Sequence, residues 1–287
     1  MDISPLHPLF VGDVTGLDLR NGIDAARLAE LTTAIDTYGV LVLRGQALDD
    51  DAQIRFSALF GVLETTRRAH RPDHKLRLDI HVSDISNLDE TGKILDANDS
   101  RLMSSLANRL WHTDSSFKRV PARYSILSAR TLPSAGGETE FADMRTAYDD
   151  LGDARKTEIA DYVCEHSIFN SRATIGFTDF TEEEYAGLPP VPQVLVRTLP
   201  GSRRKCLYLA SHADGIHGLP RPEAKMLLLD LMEHATQRKY VYTHHWRPGD
   251  VVMWDNRCTM HRGRWHDPAE IRDLRRTTVS DGVATVA

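Results

Sequence analysis

From Tyr124 onwards the chain is a series of short β-type runs: Tyr124–Leu127, Glu138–Phe141, Leu195–Thr198, Cys206–Ala210, Val251–Trp254 and Arg276–Val279. Turn-forming stretches such as Pro133-Ser134-Ala135-Gly136-Gly137 and Arg247-Pro248-Gly249-Asp250 separate them. A strand shows alternate side chains to opposite faces, so runs this short bury their apolar residues only by stacking sheet on sheet or helix on sheet. The expected fold is therefore mainly β with flanking helices, as a β-sandwich or jelly roll. The helices can be placed. Leu28, Leu31, Ile35 and Tyr38 recur at helical spacing behind Asp24, a residue able to cap the first turn, and Gly39 ends that helix. Val40-Leu41-Val42-Leu43 then reads as a buried strand, and a second short helix is expected from Asp50 to Phe60. The main later helix runs from about Pro222 to Gln237, with Pro222 suited to its first position.

No Gly/Ser/Pro linker, repeat or low-complexity segment divides the chain, which predicts a single domain over 1–287. The stretch 64–108 is weakly periodic and polar, too long for an ordinary connector, and predicts a lid or binding loop. With 35 Lys plus Arg against 41 Asp plus Glu, the formal charge is −6, so neither nucleic acid nor an anionic membrane is an expected partner. No apolar run approaches the roughly 18–20 residues that span a bilayer. Met1–Pro5 lacks the basic and apolar regions of a signal peptide, and the three scattered cysteines form no CxxC pair. A cytoplasmic protein without disulfides is expected.

Among thirteen histidines, His112-Thr113-Asp114 stands out. On an extended backbone i and i+2 face one side, so His112 and Asp114 can ligate one ion, and one further imidazole would complete a facial triad suited to Fe(II). Such a triad leaves three adjacent positions open, enough for a chelating 2-oxo acid and dioxygen, whereas a zinc hydrolase needs only one. His212-Ala213-Asp214 has the same spacing, and local pattern does not separate the two pairs. The segment Pro248–Gly263 favours the first, because it reads as turn, buried strand, turn and a short strand carrying His261. Arg272 and Arg276 follow, on alternating strand positions that can face the same interior, where guanidinium is the preferred partner of a carboxylate.

These features resemble the taurine dioxygenase-like Fe(II)/2-oxoglutarate-dependent oxygenases, and among them the 2,4-dichlorophenoxyacetate dioxygenases. The similarity runs through Pro5–Phe10, Asp84–Asn87, Trp111–Phe117, Gly136–Phe141, His234–Arg238 and Trp254–His261. It implies a double-stranded β-helix (jelly-roll) core using Fe(II), 2-oxoglutarate and dioxygen. By the same resemblance the iron ligands and catalytic centre are His112, Asp114 and His261, while the pair at His212 and Asp214 falls in a loop without metal. Thr139 and Arg272 would hold the distal carboxylate of 2-oxoglutarate, since a buried carboxylate needs a charged partner. Arg276 would face the anionic group of the primary substrate, with Asn108 beside substrate and oxidant. Because Asp114 is a carboxylate, the resemblance implies oxygenation, in contrast to the halogenases that carry a small residue there.

The resemblance also implies a small anionic organic substrate, an aryloxyacetate above all, and a homo-oligomer. Lys93 matches one of two lid lysines of the herbicide-degrading relatives. The other position falls on Ala69, so Arg68 or Arg71 substitutes or the pocket takes a different acid. The same chemistry on a sulfonate such as taurine, and a non-catalytic jelly roll that senses metal or ligand, are the rival readings. His166, His217, His244 and His245 are expected to be packing, loop or surface residues.

Overall fold

A computed structural model describes residues 1–66 and 75–286. Its largest sheet has seven strands in the spatial order Asp2–Pro5, Gly12–Thr15, Val40–Leu43, Val251–Asp255, Ala122–Thr131, Asp273–Ser280 and Ser83–Ser86. A second sheet pairs Val241–His244 and Thr259–Gly263 antiparallel on either side of Thr139–Asp143. A third joins Ala213–Ile216, Val163–His166 and Val191–Val194.

The central strands of the large sheet are buried on both faces, and their alternation sorts the core. Leu41, Leu43, Tyr124, Ile126, Val251 and Met253 point to one side, where the helices Ala25–Tyr38 and Asp50–Ala58 cover them with Leu31, Ile35, Ala52 and Phe56. Val40, Val42, Leu127, Ala129, Val252 and Trp254 point to the other, against Phe141 of the second sheet. Sheets layered this way with helices outside form the jelly roll expected from the sequence. Asp24 caps the first helix by accepting from the Arg27 amide, and Gly39 ends it in the left-handed region. Helix Arg221–Ala235 packs Leu227, Leu228 and Leu231 into the remaining core, with Pro222 in its first turn. No helix among the described residues is long and apolar enough to cross a membrane.

The stretch 64–108 departs from the expected loop. Ser83–Ser86 is a strand of the large sheet, paired with Asp273–Arg276, and Ser100–Ser105 and Leu106–Arg109 are short helices. Charge rather than apolar alternation fixes the strand. The Arg77 guanidinium bridges Asp84 and Asp273, both at 2.9 Å, from the two paired strands. Ala69, Arg68 and Arg71 lie outside the described residues.

Candidate active site

The segment Trp111–Phe117 touches the strand Thr259–Gly263 at one point. There His112 and His261 exchange both backbone hydrogen bonds, at 3.0 and 2.8 Å. Residues facing one another in this way bring their side chains together, and the two imidazole centroids lie 4.2 Å apart. Asp114 completes the group. His112 Nε2 is 4.0 Å from its Oδ1 and His261 Nε2 is 3.7 Å from its Oδ2. All three side chains are buried, and among the described residues they form a set whose ligand atoms lie within 4.8 Å of one another.

Each of the three side chains is held in its own way. His112 Nδ1 donates to Leu110 O at 2.8 Å, which fixes the tautomer and leaves Nε2 bare. His261 is held by rings, with Trp254 at 4.7 Å and Phe141 stacked at 6.2 Å. Burial holds both imidazoles neutral by lowering their pKa values, and Arg276 adds to the effect. Burial alone would raise the Asp114 carboxyl, but Arg276, His261, His112 and Ser125 outweigh it and bring it down to about 2. Ser125 Oγ donates to Asp114 Oδ2 at 2.7 Å and itself accepts from Asn256 Nδ2. Asn256 Oδ1 accepts from the Asp114 amide and from the Trp254 indole. Ser115 takes φ +54°, in the left-handed region, and its hydroxyl is tied to Glu64 Oε2 at 2.7 Å. Two neutral imidazoles and one ionised carboxylate suit Fe(II).

Arg272 is the second distinctive group. Its guanidinium is buried and, among the described residues, bonds only to carbonyls, Gly137 O at 3.2 Å and Ile85 O at 3.4 Å, while Nε has no partner there. Burial, with Arg109 nearby, lowers its pKa to about 10. A buried cation without a carboxylate partner is a place for an anion. Gly137 permits the approach, since it sits at φ +74° and a Cβ there would lie 3.1 Å from Arg272 Nε. Asn87 accepts from the Arg272 amide and donates to Pro268 O and Glu270 O, which anchors the turn before Arg272. On the neighbouring sheet Thr139 Oγ1 accepts from Trp246 Nε1 at 3.0 Å. An indole N–H only donates, so the threonine proton is left to donate elsewhere.

The other expected site residues divide. Arg276 lies beside the triad but points at its carboxylate, with Nη1 2.5 Å from Asp114 Oδ1. Asn108 accepts from Arg172 Nη2 at 3.3 Å on the His112 side. Lys93 is exposed in a turn closed by Asp89, and no hydrogen bond among the described residues joins its ammonium to this group. Asp214 pairs with Arg221 and Lys225, away from the triad. His212 lies in the turn before strand Ala213–Ile216, as expected of a loop residue, yet it is buried with its ring 6.0 Å from that of His112.

Sequence reading missed Ser125, Asn256, Trp246, Glu64 and Ser116. The first two stand inside runs already singled out, yet a serine on a strand and an asparagine in a turn carry no signal of their contact with Asp114.

A jelly roll with a buried two-histidine, one-carboxylate face and, among the described residues, a buried guanidinium without a carboxylate partner fits a non-haem iron oxygenase that takes a 2-oxo acid. The family model "Taurine catabolism dioxygenase TauD, TfdA family" matches residues 2–278. The chain belongs to this family and is an Fe(II)- and 2-oxoglutarate-dependent dioxygenase. It is 46% identical to an alpha-ketoglutarate-dependent 2,4-dichlorophenoxyacetate dioxygenase of Burkholderia sp. (strain RASC), over 95% of this chain and 92% of that protein. It is 37% identical to an (S)-phenoxypropionate/alpha-ketoglutarate dioxygenase of Sphingobium herbicidovorans, over 94% and 92%. The crystal structure of AAD-2 in complex with Mn(II) and N-oxalylglycine superposes with a TM-score of 0.92 at 46% identity, covering 100% of this chain and 98% of that one.

Proposed function

We propose that this enzyme oxidises an aryloxyacetate of the 2,4-dichlorophenoxyacetate type, with His112, Asp114 and His261 as iron ligands. Bound iron supplies the oxidative decarboxylation of 2-oxoglutarate to succinate and carbon dioxide, coupled to oxidation of a substrate C–H bond. In this reading Arg272 neutralises the distal carboxylate of 2-oxoglutarate and Thr139 donates its hydroxyl proton to the same group. The observation that carries the substrate class is Arg276, a guanidinium already placed against the triad. With Nη1 engaged by Asp114, its Nη2 draws an anionic head to the metal and leaves the adjacent methylene as the reactive position. In the same reading, by resemblance, Asn108 stands beside the substrate and Lys93 serves its anionic end.

One oxygen atom inserted into the ether methylene gives a hemiacetal. Loss of the aryloxy group then gives a phenol and glyoxylate, with the hydroxyl proton passing to the phenoxide. Identity of 46% to a 2,4-dichlorophenoxyacetate dioxygenase, against 26% to a solved taurine dioxygenase from Burkholderia xenovorans, favours the aryloxyacetate over a sulfonate. A panel of aryloxyacetates, aryloxypropionates and sulfonates, followed by succinate release, tests this. Glyoxylate and a phenol should appear with the aryloxyacetates, whereas sulfite release from taurine at a higher kcat/KM would overturn the assignment. Three buried free cysteines fit a reducing cytoplasm. A homo-oligomer that binds neither nucleic acid nor membrane is the expected form.

A further inference from the structure

Ser116, two residues beyond Asp114, is fully buried between two histidines. Its Oγ lies 3.0 Å from Nδ1 of His212 and 3.0 Å from Nδ1 of His166. Gln193 Nε2 holds the Ser116 carbonyl at 2.8 Å, so the hydroxyl is fixed in place. Both rings are buried, and among the described residues no carboxylate pairs with either, so each stays neutral with one N–H.

A hydroxyl has a single proton to give, so two bare Nδ1 atoms cannot both be satisfied by it. His166 decides the direction. Its Nε2 is buried without a partner and its ring stacks on Tyr208 at 5.9 Å. Buried N–H groups without acceptors are rarer than under-satisfied acceptors, which puts the His166 proton on Nδ1, facing Ser116. Ser116 accepts it and passes its own proton to His212 Nδ1. His212 then carries its proton on Nε2, the edge turned away from Ser116. Its ring stands edge-on to His112 at 6.0 Å and to Phe117 at 5.0 Å.

We infer that Ser116 and His166 are positioning residues that hold His212 as a hydrogen-bond donor of fixed polarity beside the metal centre. With its bare nitrogen engaged by Ser116, His212 does not act as a base towards the substrate. It offers an N–H to an acceptor oxygen of the anionic acid, and this part rests on the substrate reading above.

The test has two arms. In the first, the full metal-free chain is labelled with ¹⁵N in its histidine rings, and long-range ¹H–¹⁵N correlation reports each tautomer. Spectra of His166→Phe and His212→Phe assign the signals. The wild type should show Nδ1–H for His166 and Nε2–H for His212, and Ser116→Ala should shift His212 towards a mixture. A protonated His212 Nδ1 in the wild type would overturn the proposal. In the second arm, the iron-loaded enzyme turns over 2,4-dichlorophenoxyacetate. Ser116→Ala and His166→Phe should raise its KM about fivefold, the value of one ordinary hydrogen bond, with the KM for 2-oxoglutarate unchanged. His166→Asn keeps an N–H near the Nδ1 position and should restore the KM. An unchanged KM in both variants, or no recovery with His166→Asn, would overturn the positioning role. If the wild type gives the expected tautomers but does not oxidise aryloxyacetates, the substrate reading fails while the tautomer assignment stands.

Discussion

Replacing Arg272 by methionine should make the ligand-free protein slightly more stable while abolishing its response to 2-oxoglutarate. The guanidinium is buried against two carbonyls and no carboxylate. Burial, with Arg109, lowers its pKa from 12.5 to about 10. At neutral pH the arginine is protonated both folded and unfolded, so that depression measures what folding spends on burying the charge, about 3 kcal/mol. Methionine fills a similar volume without charge, but gives up the hydrogen bonds to Gly137 O and Ile85 O at about 1 kcal/mol each. The net expectation is a stabilisation of about 1 kcal/mol, or roughly 2 °C for a domain of this size. The liganded state reverses the order. At one hundred times its Kd, 2-oxoglutarate should stabilise the wild type by about 2.7 kcal/mol, a rise of about 5 °C, and the variant not measurably. Thermal melts of the Mn(II)-loaded proteins with and without 2-oxoglutarate read both effects. A variant less stable by 2 kcal/mol or more would mean that the protein already neutralises this cation. A retained ligand shift would remove Arg272 from the cosubstrate site.

Other substitutions probe the rest of the centre. His112→Ala should lower Mn(II) affinity by at least a hundredfold in isothermal titration, whereas His212→Ala should leave it within about threefold, and the reverse order would refute the triad. Arg276→Ala should raise the KM of an anionic substrate at least tenfold while leaving 2-oxoglutarate affinity largely intact, and equal losses in both would show a general collapse of the site. Stability should fall in mild acid. His166 is held neutral down to about pH 3 when folded but takes a proton below about 6.5 when unfolded, so its contribution is complete above 6.5 and drains away towards 3. By pH 5 it alone should cost about 2 kcal/mol, and His166→Phe should flatten the slope of unfolding free energy against pH by one proton.

How far the site could be read from sequence follows from the range of its interactions. His112 and Asp114 are two residues apart, and the turn–strand pattern around His261 is local, so the candidate ligands show in spacing and motif. The supports of Asp114 do not. Asn256 stands 142 residues from it in sequence and Arg276 stands 162 away, and no periodicity connects them. Ser83-Asp84-Ile85-Ser86 is polar and short, and it becomes a strand because Arg77 binds Asp84 and Asp273 together. Thr139 reads as an ordinary β-former until Trp246, 107 residues on, settles its hydroxyl. His212 looked like half of a second metal pair; the fold sends Asp214 to Arg221 and Lys225 and leaves the imidazole beside His112.

The main-chain bridge between His112 and His261 also sets how the centre fails. Two of the three proposed ligands are registered to each other by one reciprocal pair of peptide hydrogen bonds, so a fluctuation that parts the two segments takes both imidazoles away at once. Metal loss is then a single cooperative opening rather than stepwise release of ligands. The amides of His112 and His261 should exchange with solvent deuterium at a common rate, and bound metal should slow both by the same factor.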